Sequence, residues 1–404
     1  MIRVFETPRQ PDYLLRLWVN QNILPLNNTL NNIEADDVIP INSPIIDAEE
    51  IEAVVKVLRK GPLTNALGAG PMVTQFEEKF ADFCNVKHAV AVNTGTAALH
   101  SAIVAVGVKH GDEVILPSFT FVATAEAVVH AGGKPVFADI DPVTYNIAPG
   151  EIEKSITKKT QAILPVDLYG LSADFEPINE IATEHDIAVV EDAAQAHGAT
   201  YKGKPAGSFS KAACWSLYAN KNITTGEGGV ITTDNDETNE LLRLMRTHGE
   251  KAKYASLMLG YNYRMSEIQA AIGLVQMEKL YSFTNKRREN AKKLTNILAK
   301  TERLQLPQET EDRQHSWYLY TVRIKDSSEN ERNTLVDQLK KSDIGAEAYY
   351  VHPVHTMPYY RDNYGSKKLP ETEKASKQVL SLPIHPGVTE EQIDYIGETL
   401  LKLL

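Results

Sequence analysis

The sequence predicts an α/β protein with a mostly parallel sheet, in which a large domain is followed by a smaller one. Short apolar runs alternate with stretches of helical periodicity, which is typical of βαβ units. The chain has 404 residues, which is too long for one compact core. A long helical pattern without proline, at Ile268–Leu298, is suited to linking two domains.

Residues 1–40 are predicted to stand apart from this pattern. They are polar, rich in asparagine around residues 27–32 and without a clear period, so we expect a partly irregular extension. The first residues, MIRVFETPRQPDYLLRLWVN, lack the apolar core of a signal peptide. The regular pattern then predicts a large domain at residues 41–280 and a small C-terminal α/β domain at residues 281–404.

The large domain begins with two predicted helices. Asp47 and Glu50 form a capping box by residue type, ahead of a helix that runs to Arg59. A glycine-rich loop separates it from a second helix, from about Val73 to Phe83. The next predicted elements are the helices Ala97–Val106 and Phe119–His130 and the strands Ala89–Val92, Glu113–Leu116, Pro135–Ala138, Ala162–Pro165, Ile187–Glu191, Ala213–Leu217 and Val230–Thr233.

The small domain is predicted from the same alternation after the long helix. Leu319–Ile324 is expected to form a strand and Glu331–Lys340 a helix. Glu347–Tyr350 is expected to form a second strand, and Glu390–Leu401 a final helix. The two halves of the chain therefore have the same α/β character.

Composition argues against several kinds of partner. The net charge is −11, from 42 Lys+Arg against 53 Asp+Glu. The protein therefore offers no general electrostatic attraction to nucleic acid or to anionic membranes. No apolar run is long enough for a transmembrane helix. Cys84 and Cys214 stand in apolar stretches without zinc-ligand spacing, so we expect two buried thiols, no metal and a cytoplasmic protein.

Ligands of open α/β sheets bind beyond the carboxyl ends of the strands, and the turn Asn93–Thr96 follows one such end. Gly95 allows a ligand to approach the backbone closely. The N–H groups of Gly95, Thr96 and Ala97 would face outward at a helix N-terminus, which suits a phosphate monoester. Considered alone, the same pattern is more common as a simple threonine N-cap.

Asp192 and Gln195 follow the apolar strand Ile187–Glu191. A carboxylate at the end of a buried strand is unfavourable unless a cation meets it. A protonated pyridine nitrogen would supply that cation, and Gln195 could reach a hydroxyl on the same ring. The alternative is an ordinary acidic helix cap.

Lys221 follows the strand Ala213–Leu217 and precedes a loop dense in glycine. Between two apolar strands, loss of hydration lowers the pKa of a lysine and leaves a nucleophilic amine. Ser216 could add a hydroxyl to the phosphate site, and Phe121 could stack on a flat heteroaromatic ring. Alone, Lys221 is equally typical of a surface hairpin and Phe121 of an apolar core.

Six motifs stand in order along the chain: GTAALH (95–100), PSFTFVATAEAV (117–128), LYG (168–170), EDAAQAHGA (191–199), NKNITTGEGG (220–229) and GYNYRMSEIQAAIG (260–273). Together they resemble the DegT/DnrJ/EryC1/StrS family of nucleotide-sugar aminotransferases. The resemblance runs from about Ile41 to the C-terminus. It implies the pyridoxal-phosphate (PLP) dependent transferase fold of type I, the fold of aspartate aminotransferase.

The resemblance also implies roles for individual residues. Lys221 would hold pyridoxal 5′-phosphate as a Schiff base and later carry the proton, and Asp192 would pair with the ring nitrogen. Gln195 would contact the ring O3′, and Phe121 would stack on the ring. The implied phosphate contacts are Gly95, Thr96 and Ser216.

Asn262 would reach the phosphate of the neighbouring subunit, so the resemblance implies a homodimer with shared active sites. In relatives a histidine often precedes the LYG motif, whereas this chain has Asp167 there. The substrate side of the implied site comprises Thr64, Tyr169, Arg264 and His355.

The implied reaction is a ping-pong transfer of an amino group from L-glutamate to a keto group of a nucleotide-linked sugar. Amination of a cyclitol-type ketone, a deoxysugar dehydratase on the same fold and a non-catalytic regulatory protein are the alternatives. Dehydratase relatives usually carry histidine in place of the lysine, so Lys221 argues against that activity. The sugar, the nucleotide and the ring carbon are not fixed by fold or family.

Overall fold

A computed structural model of the chain describes residues 38–365 and 367–404. Residues 1–37, most of the predicted extension, lie outside the described residues. Ile39–Leu404 form one compact unit. The predicted boundary between residues 280 and 281 falls within a continuous helix, Glu267–Leu298, and stays a prediction.

Helices and strands alternate along the described residues. The helices are α1 (Ala48–Lys60), α2 (Pro71–Cys84), α3 (Gly95–Ala105), α4 (Ala123–His130), α5 (Pro149–Glu153), α6 (Phe175–Glu184), α7 (Asp236–Arg246), α8 (Glu267–Leu298), α9 (Glu329–Lys341), α10 (Pro358–Tyr364), α11 (Pro370–Gln378) and α12 (Glu390–Leu403). Short 3-10 turns occur at Leu168–Gly170 and Val354–Thr356.

The strands are β1 (His88–Val92), β2 (Glu113–Pro117), β3 (Lys134–Ala138), β4 (Thr160–Ile163), β5 (Ala188–Asp192), β6 (Thr200–Tyr201), β7 (Lys204–Pro205), β8 (Ala212–Ser216), β9 (Gly229–Thr233), β10 (Glu250–Ala252), β11 (Ala255–Ser256), β12 (Leu304–Gln305), β13 (Arg313–Gln314), β14 (Tyr320–Ile324) and β15 (Val379–Leu382). Seven of them form the central sheet, in the order β1-β9-β8-β5-β4-β2-β3. β9 is antiparallel to both of its neighbours, and the other adjacent pairs are parallel. The predicted mostly parallel sheet is therefore confirmed.

Helices cover both faces of this sheet, as the alternation along β1 shows. Val90 and Val92 belong to a core that includes residues of α3 and α4. Ala89 and Ala91 point to the opposite face and belong to a core that includes residues of α2 and α8. Successive side chains of a strand point to opposite faces, and here both faces are buried. The carboxyl ends of the six codirectional strands lie together at one edge of the sheet.

A second, antiparallel sheet follows in the order β12-β14-β15. Its core joins β14 to α9, to α12 and to the C-terminal half of α8. The predicted strand at Glu347–Tyr350 is wrong, because only Glu347 makes a bridge, with Ser381. Tyr349 and Tyr350 instead line a cavity, so their aromatic character reflects contact with that space rather than strand pairing.

Helix α4 begins at Ala123, later than the predicted Phe119. The residues between β2 and Ala123 are not helical, and the carbonyl oxygen of Ser118 accepts a hydrogen bond of 3.0 Å from Val354 N–H. Cys84 and Cys214 are buried free thiols, as predicted. None of the described helices combines the length and apolarity needed to cross a bilayer.

Candidate active site

A cavity of about 510 Å³ opens at the carboxyl edge of the central sheet. The turns that follow β1, β2, β5 and β8 contribute to its wall, because these strands end at the same edge. Residues predicted separately along the sequence therefore meet in space. The predicted site residues in this wall are Gly95, Thr96, Phe121, Asp192, Gln195, Ser216 and Lys221.

Lys221 lies in the loop between β8 and β9. Its backbone N–H donates a hydrogen bond of 3.0 Å to Tyr218 O, and its Nζ lies 4.5 Å from the centroid of the Tyr318 ring. Burial lowers the pKa of the amine to about 8, although the negative charge of Asp192 acts in the opposite direction. Far more of the amine is therefore unprotonated near neutral pH than in an exposed lysine, which favours nucleophilic attack.

Asp192 is the last residue of β5, and it is 4% exposed. Its Oδ2 accepts a hydrogen bond of 2.8 Å from Thr124 Oγ1, and its Oδ1 accepts one of 3.2 Å from Ala194 N–H. Burial raises the pKa of this carboxyl, while the hydrogen bonds and the charge of Lys221 lower it. Both donors are neutral, so a cationic group in the cavity would stabilise the ionised carboxylate.

The start of α3 and the end of β8 form a narrow cradle. Thr94 caps the helix, because its Oγ1 accepts a hydrogen bond of 3.0 Å from Ala97 N–H. A Cβ at Gly95 would lie 2.9 Å from Ser216 Cβ, so only glycine fits without displacement. The first N–H groups of a helix have no partner within the helix, so those of Gly95 and Thr96 are available to an anion.

Gln195 is fixed in the cavity wall by two aromatic residues. Its Oε1 accepts a hydrogen bond of 2.7 Å from Tyr169 N–H, and its Nε2 donates one of 3.2 Å to Tyr350 Oη. Tyr169 itself is buried and is not in the wall, and its hydroxyl donates to Tyr349 O. The predicted substrate residue Tyr169 thus contacts the site through Gln195 and Tyr349.

The opening of the cavity is aromatic. Phe121 is 58% exposed, and its ring centroid lies 6.4 Å from that of Tyr350. Tyr218, Tyr318, Tyr349 and Tyr350 also line the cavity, and sequence reasoning missed all four. The sequence gives one indication of these cavity residues, the tyrosine pair at 349–350, but the pattern there predicts a strand.

Three further predicted residues do not line this cavity. Thr64 is exposed in the loop between α1 and α2. Asn262 is also exposed, and its carbonyl oxygen lies 3.4 Å from Asn93 Nδ2. Arg264 makes a bridge with Val92 and donates a hydrogen bond of 3.1 Å to Thr247 Oγ1. Asn262 and Arg264 therefore lie beside the end of β1 but are directed elsewhere.

His355 is 3% exposed and does not line the cavity. Its Nδ1 is 2.6 Å from Ser118 Oγ, and its Nε2 is 3.5 Å from Glu373 Oε1. Both ring nitrogens are thus engaged by protein groups. The interaction with Ser118 connects the 3-10 turn at Val354–Thr356 to the end of β2.

Asp167, which replaces the usual histidine, is also buried outside the wall. Its Oδ1 accepts a hydrogen bond of 2.8 Å from Ala173 N–H, and its backbone N–H donates one of 3.0 Å to Asp192 O. Burial raises the pKa of the Asp167 carboxyl well above its usual range, and the charge of Glu191 adds to this effect. Asp167 therefore supports the backbone at Asp192 and does not contact the cavity.

These features fit PLP. The cradle at Gly95 admits a phosphate where a Cβ would fill the space, Asp192 offers a buried carboxylate to a ring nitrogen, and Lys221 offers an amine of lowered pKa. The model of the DegT/DnrJ/EryC1/StrS aminotransferase family matches residues 44–401. The chain belongs to this family. It is a PLP-dependent aminotransferase with the type I fold.

Relatives within the DegT/DnrJ/EryC1/StrS family match the chain over nearly its whole described length. A pleiotropic regulatory protein of Geobacillus stearothermophilus is 41% identical, over 90% of this chain and 98% of the relative. A GDP-perosamine synthase of Caulobacter vibrioides is 39% identical, over 91% and 98%. The PLP form of a putative sugar aminotransferase, Spr1654 of Streptococcus pneumoniae, superposes with a TM-score of 0.86 at 29% identity, over 91% and 100%.

Proposed function

We propose that this enzyme transfers an amino group from L-glutamate to a keto group of a nucleotide-linked sugar, by a ping-pong mechanism. The observation that carries the proposal is the meeting of Lys221, Asp192 and the helix start at Gly95 in one cavity. Similarity to a GDP-perosamine synthase supports a nucleotide sugar as the acceptor. We place the reaction in the cytoplasm, where nucleotide sugars and glutamate are available.

PLP, when bound, supplies an electron sink for the pair left behind when a proton leaves the carbon next to the amine. Asp192 keeps the ring nitrogen protonated, since a carboxylate in a buried site stabilises a cation beside it. Thr124 and the N–H of Ala194 orient that carboxylate through hydrogen bonds of 2.8 and 3.2 Å. Phe121 would stack on the face of the ring, and Gln195, fixed in the cavity wall, would donate to the ring hydroxyl.

Lys221 moves the proton. With a pKa of about 8, its amine is close to balance between the neutral and protonated forms at the pH of a cell. A group with this balance accepts a proton from the donor carbon and returns it without a large penalty in either direction. Because the same lysine serves both halves of the ping-pong cycle, the enzyme needs no second base.

The phosphate is held by the N–H groups of Gly95 and Thr96 and by the hydroxyl of Ser216. Of the residues described in the cavity wall, Lys221 is the one with a cationic side chain. The phosphate, the glutamate carboxylates and a nucleotide diphosphate are all anionic. The single cationic side chain in the wall of one protomer does not balance these negative charges. A homodimer in which Asn262 and Arg264 enter the neighbouring site would supply the missing donors.

The sugar is proposed to bind at the aromatic opening, against Phe121 and beside the loop that contains Thr64. Tyr169 contributes by fixing Gln195, and His355 by fixing the end of β2. A cyclitol-type ketone is the second candidate acceptor. Similarity to the regulatory protein of Geobacillus raises a regulatory role, but a buried lysine and carboxylate arranged for PLP chemistry support turnover.

A two-step experiment tests this function. The purified holoenzyme is first mixed with L-glutamate, and loss of the visible absorbance of lysine-bound cofactor together with formation of 2-oxoglutarate is expected. The aminated enzyme is then offered 3-keto and 4-keto nucleotide sugars and a cyclitol ketone, and one nucleotide sugar should restore the original spectrum. Lys221→Ala is the control that should show neither step, and Lys211→Ala, at an exposed lysine, should show both. Failure of glutamate and of other amino acids to change the wild-type spectrum would favour the regulatory role.

A further inference from the structure

The ring of Tyr318 lies directly beside the reactive amine. Nζ of Lys221 is 4.5 Å from the ring centroid, and Tyr318 is only 6% exposed. A lysine within about 6 Å of an aromatic centroid interacts favourably with the ring face, more so when both are withdrawn from water. The ring therefore presents a surface of negative electrostatic potential to the amine.

The ring is fixed from both ends. Its hydroxyl donates a hydrogen bond of 3.2 Å to Oδ1 of Asn220, the residue before Lys221. At the backbone, Nη1 of the buried Arg287 donates bonds of 3.2 Å to the carbonyl oxygens of Trp317 and Tyr318. Nη2 of Arg287 also donates to Asn42 Oδ1 at 3.0 Å, and Asn42 in turn donates to the carbonyl oxygen of Asn220. The same network thus anchors the ring and the segment that contains the lysine.

We infer that Tyr318 is a positioning residue for Lys221. The face of the Tyr318 ring holds the protonated amine of Lys221 in the cavity and stabilises its positive charge. The contact between Lys221 and Tyr318 does not depend on the proposed function, but the role that we infer for the contact rests on that function. During turnover the lysine must leave the cofactor, wait while the amino group is transferred and return. Because the Tyr318 ring is held rigidly, the displaced ammonium of Lys221 stays at one position close to the substrate carbon.

Burial and Tyr318 act on the lysine in opposite directions. Burial disfavours the ammonium, whereas the ring face and Asp192 favour it. Replacing the ring by an aliphatic group should therefore lower the pKa of Lys221. The other titratable groups that face the lysine or its cavity are Asp192, His197, Tyr218, Glu227, Tyr349 and Tyr350.

The test measures the proton affinity of Lys221 in cofactor-free protein. Trace labelling with acetic anhydride between pH 6 and 10.5, followed by mass spectrometry of the peptide that contains Lys221, gives the pKa of this amine. Tyr318→Leu should weaken proton binding about 3- to 30-fold, the range of a buried cation–π contact. Tyr318→Phe, the matched control, should retain most of it. Equal values for the two variants, or stronger proton binding in Tyr318→Leu, would overturn the inference.

A second comparison keeps the shape of the ring constant. Pentafluorophenylalanine in place of Tyr318 reverses the charge distribution of the face, so proton binding should be weaker than in Tyr318→Phe. If the two rings give the same value, electrostatic stabilisation by the face is rejected even where Tyr318→Leu does not fold. Neither measurement uses PLP or a sugar, so its outcome is separate from the outcome of the half-reaction test.

Discussion

Thr124 Oγ1 donates a hydrogen bond of 2.8 Å to Oδ2 of Asp192. Thr124 lies in the first turn of α4, whereas Asp192 ends β5, so two elements that are distant in sequence define the direction of one carboxylate. Thr120 Oγ1 lies 2.9 Å from Thr124 Oγ1 and extends the chain of hydroxyls. The orientation of the proposed partner of the ring nitrogen is therefore set by residues of the PSFTFVAT motif.

Thr124→Val should weaken the hold on PLP. The substitution keeps the shape of the side chain but removes a hydrogen bond to a buried charged group, which contributes about 1.5–3 kcal/mol. We expect the dissociation constant of PLP, measured by absorbance titration, to rise about 10- to 100-fold. Thr124→Ser retains the hydroxyl and should stay within a few-fold of wild type. Equal affinities for the valine and serine variants would show that this bond does not orient Asp192 for the cofactor.

Gly95→Ala should block the phosphate cradle. The added Cβ would lie 2.9 Å from Ser216 Cβ and 3.2 Å from its Oγ, so the hydroxyl must move from its position. We expect at least about a tenfold loss of PLP affinity, the effect of one displaced hydrogen bond to a phosphate. Gly150→Ala is the matched control, because a Cβ there meets nothing within 4 Å. A normal PLP affinity for Gly95→Ala would remove Gly95 from the proposed phosphate site.

The lowered pKa of Lys221 should make the stability of the cofactor-free protein depend on pH. The amine has a pKa of about 8 in the folded chain and about 10.4 when unfolded, so between these values the unfolded chain binds more protons. The unfolding free energy of wild type should therefore rise with pH across this window, relative to Lys221→Met. Denaturant titrations of both proteins from pH 7 to 10.5 measure the difference. A constant difference across the series would mean that burial does not perturb this amine.

Two inactive variants should restore each other if the sites are shared across a dimer. In a mixed dimer of Lys221→Ala and Asn262→Ala, one site receives an intact lysine from one subunit and an intact asparagine from the other. Coexpression should recover up to about a quarter of wild-type activity, for random pairing. The control pairs Lys221→Ala with a variant that carries both substitutions, which leaves no complete site. If the first mixture is no more active than this control, Asn262 does not act across subunits.

His355→Ala should destabilise the fold, because it removes the ring nitrogen that faces the buried Ser118 hydroxyl and the contact with Glu373. Loss of a buried hydrogen-bonding partner lowers the unfolding free energy by about 1–3 kcal/mol. His352→Ala is the control within the same VHPVH segment, since His352 is exposed. Denaturant unfolding of both variants measures the effect. An unchanged stability combined with a raised KM for the sugar would instead identify His355 as a direct substrate contact.

The sequence was sufficient to predict the residues at the edge of the sheet. Gly95, Asp192 and Lys221 each follow an apolar strand, and the carboxyl ends of codirectional strands meet by geometry alone. The hydrophobic pattern thus determines both the sheet and the grouping of these turns. It could not show which of the turns would contact a ligand, and that step came from the ordered motifs.

The remaining features depend on contacts between distant parts of the chain. Ser118 and His355 are separated by 237 positions, and nothing in either segment indicates that they pair. Tyr349 and Tyr350 have the aromatic character of a strand, but they are half-buried in the wall of a cavity, and local pattern does not distinguish the two causes. Tyr318 was overlooked for a similar reason, since its neighbour in space is Lys221 and its neighbours in sequence suggest only a strand.

The reversed direction of β9 has a consequence for how this enzyme could diversify. Because β8 ends and β9 begins at the same edge, the segment between Ser216 and Gly229 leaves the sheet and returns to it without crossing a face. The segment is nevertheless tied to the helices, because Ile223 belongs to the core that includes residues of α2 and α8, and Thr224 N–H donates a hydrogen bond of 3.3 Å to Gln276 Oε1. An insertion or deletion there would displace Lys221, so the length of this segment is constrained, and new acceptors would have to be acquired through other parts of the cavity wall.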